Sequence, residues 1–95
     1  MGVQQLKNRM LDPKLVRKNL GERVRYLRRE KGWSQERFAY ESGIGRSFMG
    51  AIERGEKDIR IQSLCKLASM LDISLSTLFH GTDQFVPRTK RKSKR

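Results

Sequence analysis

A single cysteine, Cys65, stands in a chain of 95 residues. An internal disulfide framework and a cysteine-rich zinc site are both excluded, which fits a reducing cytoplasm. Histidine is as scarce. His80, without ligand neighbours, reads as a surface residue rather than a metal ligand. No apolar run approaches the ~18 residues of a transmembrane helix, and the N-terminus lacks the apolar core of a signal peptide. Paired carboxylates in an apolar setting and a glycine-rich phosphate loop are missing too. A chain of this length buries one modest core, not a core plus an enclosed cleft. The sequence therefore predicts no enzyme, no cofactor, no metal and no small-molecule ligand. Strand-like alternation and internal repeats are also absent, so the expected class is all-α.

Positive charge, by contrast, is plentiful. Lys and Arg number 22 against 10 Asp and Glu, a net charge of +12. Half of that excess comes from the last ten residues, which carry six basic groups and no acid. A basic domain followed by a basic tail predicts a polyanion partner; the plainer reading is a solubilising surface. The KRKSKR ending fits a DNA-gripping arm and a nuclear-targeting signal equally well.

Three segments are expected: an N-terminal extension over residues 1–12, a helical domain over 13–81, and a basic, disordered tail over 82–95. In the extension Val3, Leu6 and Met10 lie at helical spacing, which suits a docked turn and a frayed end alike. Asp12-Pro13 is a helix start, with Asp as N-cap and Pro at the first helical position. The first helix should run from Pro13 to Lys31 and stop at Gly32, with Val16, Leu20, Val24 and Leu27 as its inward stripe. Gly21 inside it costs ~1 kcal/mol relative to Ala. Arg17, Lys18, Arg25 and Arg29 fall on the opposite face. Trp33 reads as a large core plug after Gly32.

The chain is organised around SQERFAYESGIGRSFMGAIERG, residues 34–55. Ser34 is a good N-cap for a short helix from Gln35 to about Ser42. Gly43 can take the left-handed conformation of a sharp exit. A second short helix starts near Gly45 or Arg46 and stops at Gly55. Phe38 and Ala39 on the first helix, Ile44 in the turn, and Met49 and Ile52 on the second make an inner side. Arg46, Ser47, Gly50 and Arg54 are expected on the outer side. Beyond a charged loop at 56–60, a further helix from about Ile61 to Leu71 should bury Ile61, Leu64, Leu67, Ala68 and Leu71, with Cys65 as a small core residue. Asp72 or Ile73 breaks it. Ser74 and Ser76 both offer caps to a fifth short helix through Leu78 and Phe79.

This constellation resembles the helix-turn-helix domain of the phage lambda and 434 repressors, Cro, and the wider XRE-type bacterial regulators. Gln35, Ala39, Gly43, Ile44, Met49 and Ile52 stand at that family's spacing, and the likeness covers roughly residues 20–81. Ser42 departs from it, because the family usually has an apolar residue there. The resemblance implies a five-helix, lambda repressor-like domain that binds double-stranded DNA with the second helix of the motif in the major groove. Base contacts would come from Arg46, Ser47, Gly50 and Ala51. Arginine can bond bidentately to guanine, and the Ala51 methyl can touch a thymine methyl if it faces the groove. Phe48 could do the same or pack on sugar. Ser34, Gln35, Arg54, Lys57 and Arg60 would hold the backbone and set register, with Gln35 also bracing Arg46. Arg28 and Glu53 match a paired arginine and glutamate that orient the recognition helix; ordinary surface charges are the alternative. Leu75, with Cys65 and Thr77 nearby, would form a homodimer contact.

The function implied is that of a cytoplasmic, nucleoid-associated bacterial or phage-encoded regulator, a homodimeric repressor or autoregulator on a palindromic operator. Phage repressors and restriction–modification controllers are similar in size and design. With no sensor domain in these residues, control would come from protein concentration and operator affinity. The alternative is an antitoxin or bridging protein that uses the same fold to bind a protein partner.

Overall fold

Asp12 accepts a hydrogen bond from the Lys14 N–H at 3.0 Å, and Pro13 follows it in the first helical position. That cap opens α1, Pro13–Glu30. The computed structural model describes residues 11–83. Across them run four more helices: α2 (Gln35–Ser42), α3 (Arg46–Glu53), α4 (Ile61–Leu71) and α5 (Leu75–Leu78). The expected all-α, five-helix architecture is what the described residues adopt. The expectations placed on residues 1–10 and on the basic run after residue 83 lie outside the described residues.

Local chemistry explains the boundaries. Ser34 Oγ accepts from the Arg37 N–H at 3.1 Å and starts α2. Gly43 ends it at φ 72°, in the left-handed region that a side chain rarely adopts. Ile44 then bonds back to Ala39 and is buried in the turn. Ser74 Oγ accepts from the Thr77 N–H at 3.0 Å and opens α5. Asp72 caps α4 at φ 59°, so Asp72 rather than Ile73 breaks that helix.

One core joins all five helices. Leu20 and Val24 of α1, Phe38 and Ala39 of α2, Met49 and Ile52 of α3, Leu64, Leu67, Ala68 and Leu71 of α4, and Leu78 of α5 are buried together. Trp33 packs against this cluster, its ring centroid 6.1 Å from that of Phe38. Ser42 is buried where an apolar residue is usual, and its hydroxyl donates to the Phe38 carbonyl at 2.6 Å. The departure is thus satisfied locally, by a bond one helical turn back.

Three expectations fail here. Ile61, the first residue of α4, is 68% exposed rather than buried, and burial along that stripe begins only at Leu64. Cys65, one turn further along the same flank, is exposed as well and is not a core residue. Thr82, assigned to the tail, is buried. Its hydroxyl donates to the Phe79 carbonyl at 2.8 Å, and Asn19 Nδ2 of α1 donates to the Thr82 carbonyl at 3.2 Å. The folded unit therefore continues past Gly81.

Candidate nucleic-acid interface

The turn at Gly43 sets α3 across α2, and α1 supports α3 from behind. The approach of α1 is unusually close. A Cβ added to Gly21 would lie 2.5 Å from the Ile52 carbonyl oxygen and 2.6 Å from that of Glu53. Glycine therefore lets the two helix backbones touch, a reason for Gly21 that helix propensity does not show.

Behind that contact lies a buried polar clamp. The Arg28 Nε and Nη2 donate to Glu53 Oε2 and Oε1 at 2.7 and 3.0 Å, and Nη1 donates to the Trp33 carbonyl at 2.8 Å. The two side chains are 7% and 4% exposed, so this is no ordinary surface pair. Glu53 Oε1 also accepts from Gln35 Nε2 at 2.9 Å. Helices α1, α2 and α3 are thereby tied at one carboxylate. The family resemblance implies that Gln35 braces Arg46; here it braces Glu53 instead. The first side chain of α3 has a different partner, because Arg46 Nη1 donates to Glu36 of α2.

The outer side of α3 presents Arg46 and Ser47, both exposed at its N-terminal end. Gly50 and Ala51 do not join them. Gly50 is buried beneath two side chains, since a Cβ there would meet Arg54 Nη1 at 3.1 Å and Gln35 Oε1 at 3.6 Å. Ala51 is 6% exposed, where the chain beyond Gly55 returns and the Glu56 N–H bonds to its carbonyl at 2.9 Å. Its methyl does not face a groove, so the expected thymine contact has no basis at that position. Phe48 is half-buried and packs against the core.

Around this surface lie the other groups. Ser34 is exposed but its hydroxyl already caps α2. Arg54 caps the end of α3, and Lys57 and Arg60 are exposed in the loop beyond. Arg54 Nε donates to Glu56 Oε2 at 3.0 Å. Through that hydrogen bond the guanidinium holds the Glu56 carboxyl below its ordinary value and is itself raised. Two exposed arginines, Arg46 and Arg54, thus each meet a glutamate to which the sequence pattern gives no role. The signal for Glu36 lies ten residues away and shows only once the two helix starts are placed side by side. Elsewhere Leu75 is 38% exposed, with Thr77 exposed on the same short helix and Cys65 exposed on α4. The Thr77 carbonyl accepts from Arg23 Nη2 at 2.8 Å. Among the described residues no cluster of His, Cys, Asp or Glu could hold a metal ion, and no helix is long and apolar enough to cross a membrane.

Known proteins share this arrangement. A family model described as Helix-turn-helix matches residues 24–78. The HTH-type transcriptional regulator SinR of Bacillus licheniformis is 35% identical over 66 residues, which are 68% of this chain and 60% of that protein. The chain thus spans less than two thirds of that relative's length. The crystal structure of the restriction-modification controller protein C.AhdI from Aeromonas hydrophila matches with a TM-score of 0.62 and 43% identity, over 64% of this chain and 92% of that one. SinR in complex with DNA, a master regulator for biofilm formation, matches with a TM-score of 0.60 and 37% identity, over 62% of this chain and 95% of that one.

Proposed function

Because the chain belongs to the helix-turn-helix family, in its XRE-type branch, we propose that it regulates transcription by binding double-stranded DNA at a particular sequence. One observation carries the reading: Arg46 and Ser47 stand exposed at the start of α3, while the buried Arg28–Glu53 pair, joined at its edge by the half-buried Gln35, fixes that helix. A rigid helix with a polar outer end is what major-groove reading needs. Arg46 can bond bidentately to O6 and N7 of guanine, and Ser47 can donate or accept. Ser34, Gln35, Arg54, Lys57 and Arg60 hold the phosphates on either side and set register.

One domain reads few base pairs, so the regulator acts as a homodimer through Leu75, with Cys65 and Thr77 nearby, on a near-palindrome with half-sites ~34 Å apart. A repressor or autoregulator of the controller type, working in the cytoplasm without catalysis, is the form that fits a basic domain similar to SinR and C.AhdI. Selection of bound duplexes from a random pool tests this directly. A near-palindromic motif is expected, and recovery of duplexes with no shared motif would contradict sequence-specific binding.

A further inference from the structure

Glu36 occupies the first turn of α2, on a different helix from Arg46, and accepts from Arg46 Nη1. The two side chains are 68% and 71% exposed. An ion pair so open to water adds little stability. What the pair changes is the direction in which Arg46 points. A guanidinium carries five N–H donors in a fixed fork. With Nη1 engaged by Glu36, the edge made by Nε and Nη2 is left to donate. The molecule shows the same division at Arg28. There Nη1 is held by the Trp33 carbonyl while Nε and Nη2 grip the two oxygens of Glu53 at 2.7 and 3.0 Å. Guanine O6 and N7 offer such a fork a comparable pair of acceptors.

We propose that Glu36 is a positioning residue for base recognition: it holds Nη1 of Arg46, turns the Nε/Nη2 edge toward the groove, and opposes any drift of that arginine onto a phosphate. The inference rests on Arg46 reading a base. Glu36 places a negative charge beside the arginine that is to meet a polyanion, so removing it has two opposite effects. Every duplex gains from the lost repulsion. The preferred duplex alone loses the oriented fork.

Equilibrium binding by the full chain separates these effects. The proteins are wild type, Glu36→Ala, Glu36→Gln, Arg46→Ala and the Glu36→Ala/Arg46→Ala double variant. The probes are a selected duplex, the same duplex altered at the base pair whose preference Arg46→Ala abolishes, and a random duplex. Glu36→Ala should lower discrimination at that pair about three- to tenfold and tighten the random duplex roughly twofold. Glu36→Gln keeps an oxygen acceptor for Nη1 and should restore most of the discrimination. In the Arg46→Ala background the loss of Glu36 should change discrimination no further. Full discrimination in Glu36→Ala, an equal loss in Glu36→Gln, or a second loss in the Arg46→Ala background would each overturn the positioning role. If Arg46→Ala abolishes no preference at all, the base-reading role of Arg46 fails first and the role of Glu36 falls with it.

Discussion

At Gly21 two rules of helix stability oppose each other. Propensity favours alanine over glycine in a helix interior by ~1 kcal/mol. Contact with α3 reverses the preference, because an added Cβ would sit 2.5–2.9 Å from the backbone of Ile52 and Glu53. Backbone atoms cannot swing aside as a flexible side chain does, and forcing atoms into a packed contact costs about 1–3 kcal/mol. Gly21→Ala should therefore lower the urea-unfolding free energy by about 1–3 kcal/mol, and a more stable variant would show that α1 and α3 can separate. Glu53 is the other residue on which the site depends. Glu53→Ala leaves the Arg28 guanidinium buried without its carboxylate, and losing one partner of such a pair costs about 3–5 kcal/mol. The same measurement checks it; a loss below ~1 kcal/mol would place the pair among ordinary surface bridges.

The helices of the motif were legible because their ends carry strong local signals. Ser34 caps α2, Gly43 takes the left-handed turn, and Phe38, Ala39, Met49 and Ile52 are buried as their spacing implied. What spacing does not tell is how far along a helix its neighbours reach. Ile61 continues the apolar stripe of α4 by pattern, yet it stands beyond the edge of the core. Residue type alone puts Cys65 in the core, where it is not, and the polarity around Thr82 puts it in the tail, although its hydroxyl and carbonyl are both satisfied within the fold. In the site, the Arg28–Glu53 pair was legible through family likeness, whereas Gln35, Glu36, Gly50 and Ala51 depend on how two short helices cross. Ser42 shows the same limit in reverse. Its buried hydroxyl bonds only to the Phe38 carbonyl four residues back, an acceptor that the helix already satisfies. Ser42→Ala removes no partner that another group needs and improves helix propensity, so stability should rise by about 0.5 kcal/mol. A loss above ~1 kcal/mol in thermal or urea unfolding would mean that the hydroxyl holds the turn.

Assembly and overall charge belong to the whole molecule. Leu75→Glu places a charge on an exposed apolar position of α5. It should yield helical monomers by sedimentation and lose tight operator binding, while an unchanged dimer would put the interface elsewhere. The last ten residues add six positive charges. Each neutralised phosphate contributes roughly 0.9 to the slope of log affinity against log salt, so deleting residues 86–95 should lower that slope by about two to four per protomer on specific and random DNA alike. A loss confined to the operator would favour a sequence-reading arm instead. The central claim, that α3 reads bases through Arg46, is tested most directly by comparing wild type and Arg46→Ala on a selected duplex and a random one at fixed salt. The variant should lose about 1–3 kcal/mol on the selected duplex and almost nothing on the random one; equal losses on both would make Arg46 a phosphate contact and contradict the account.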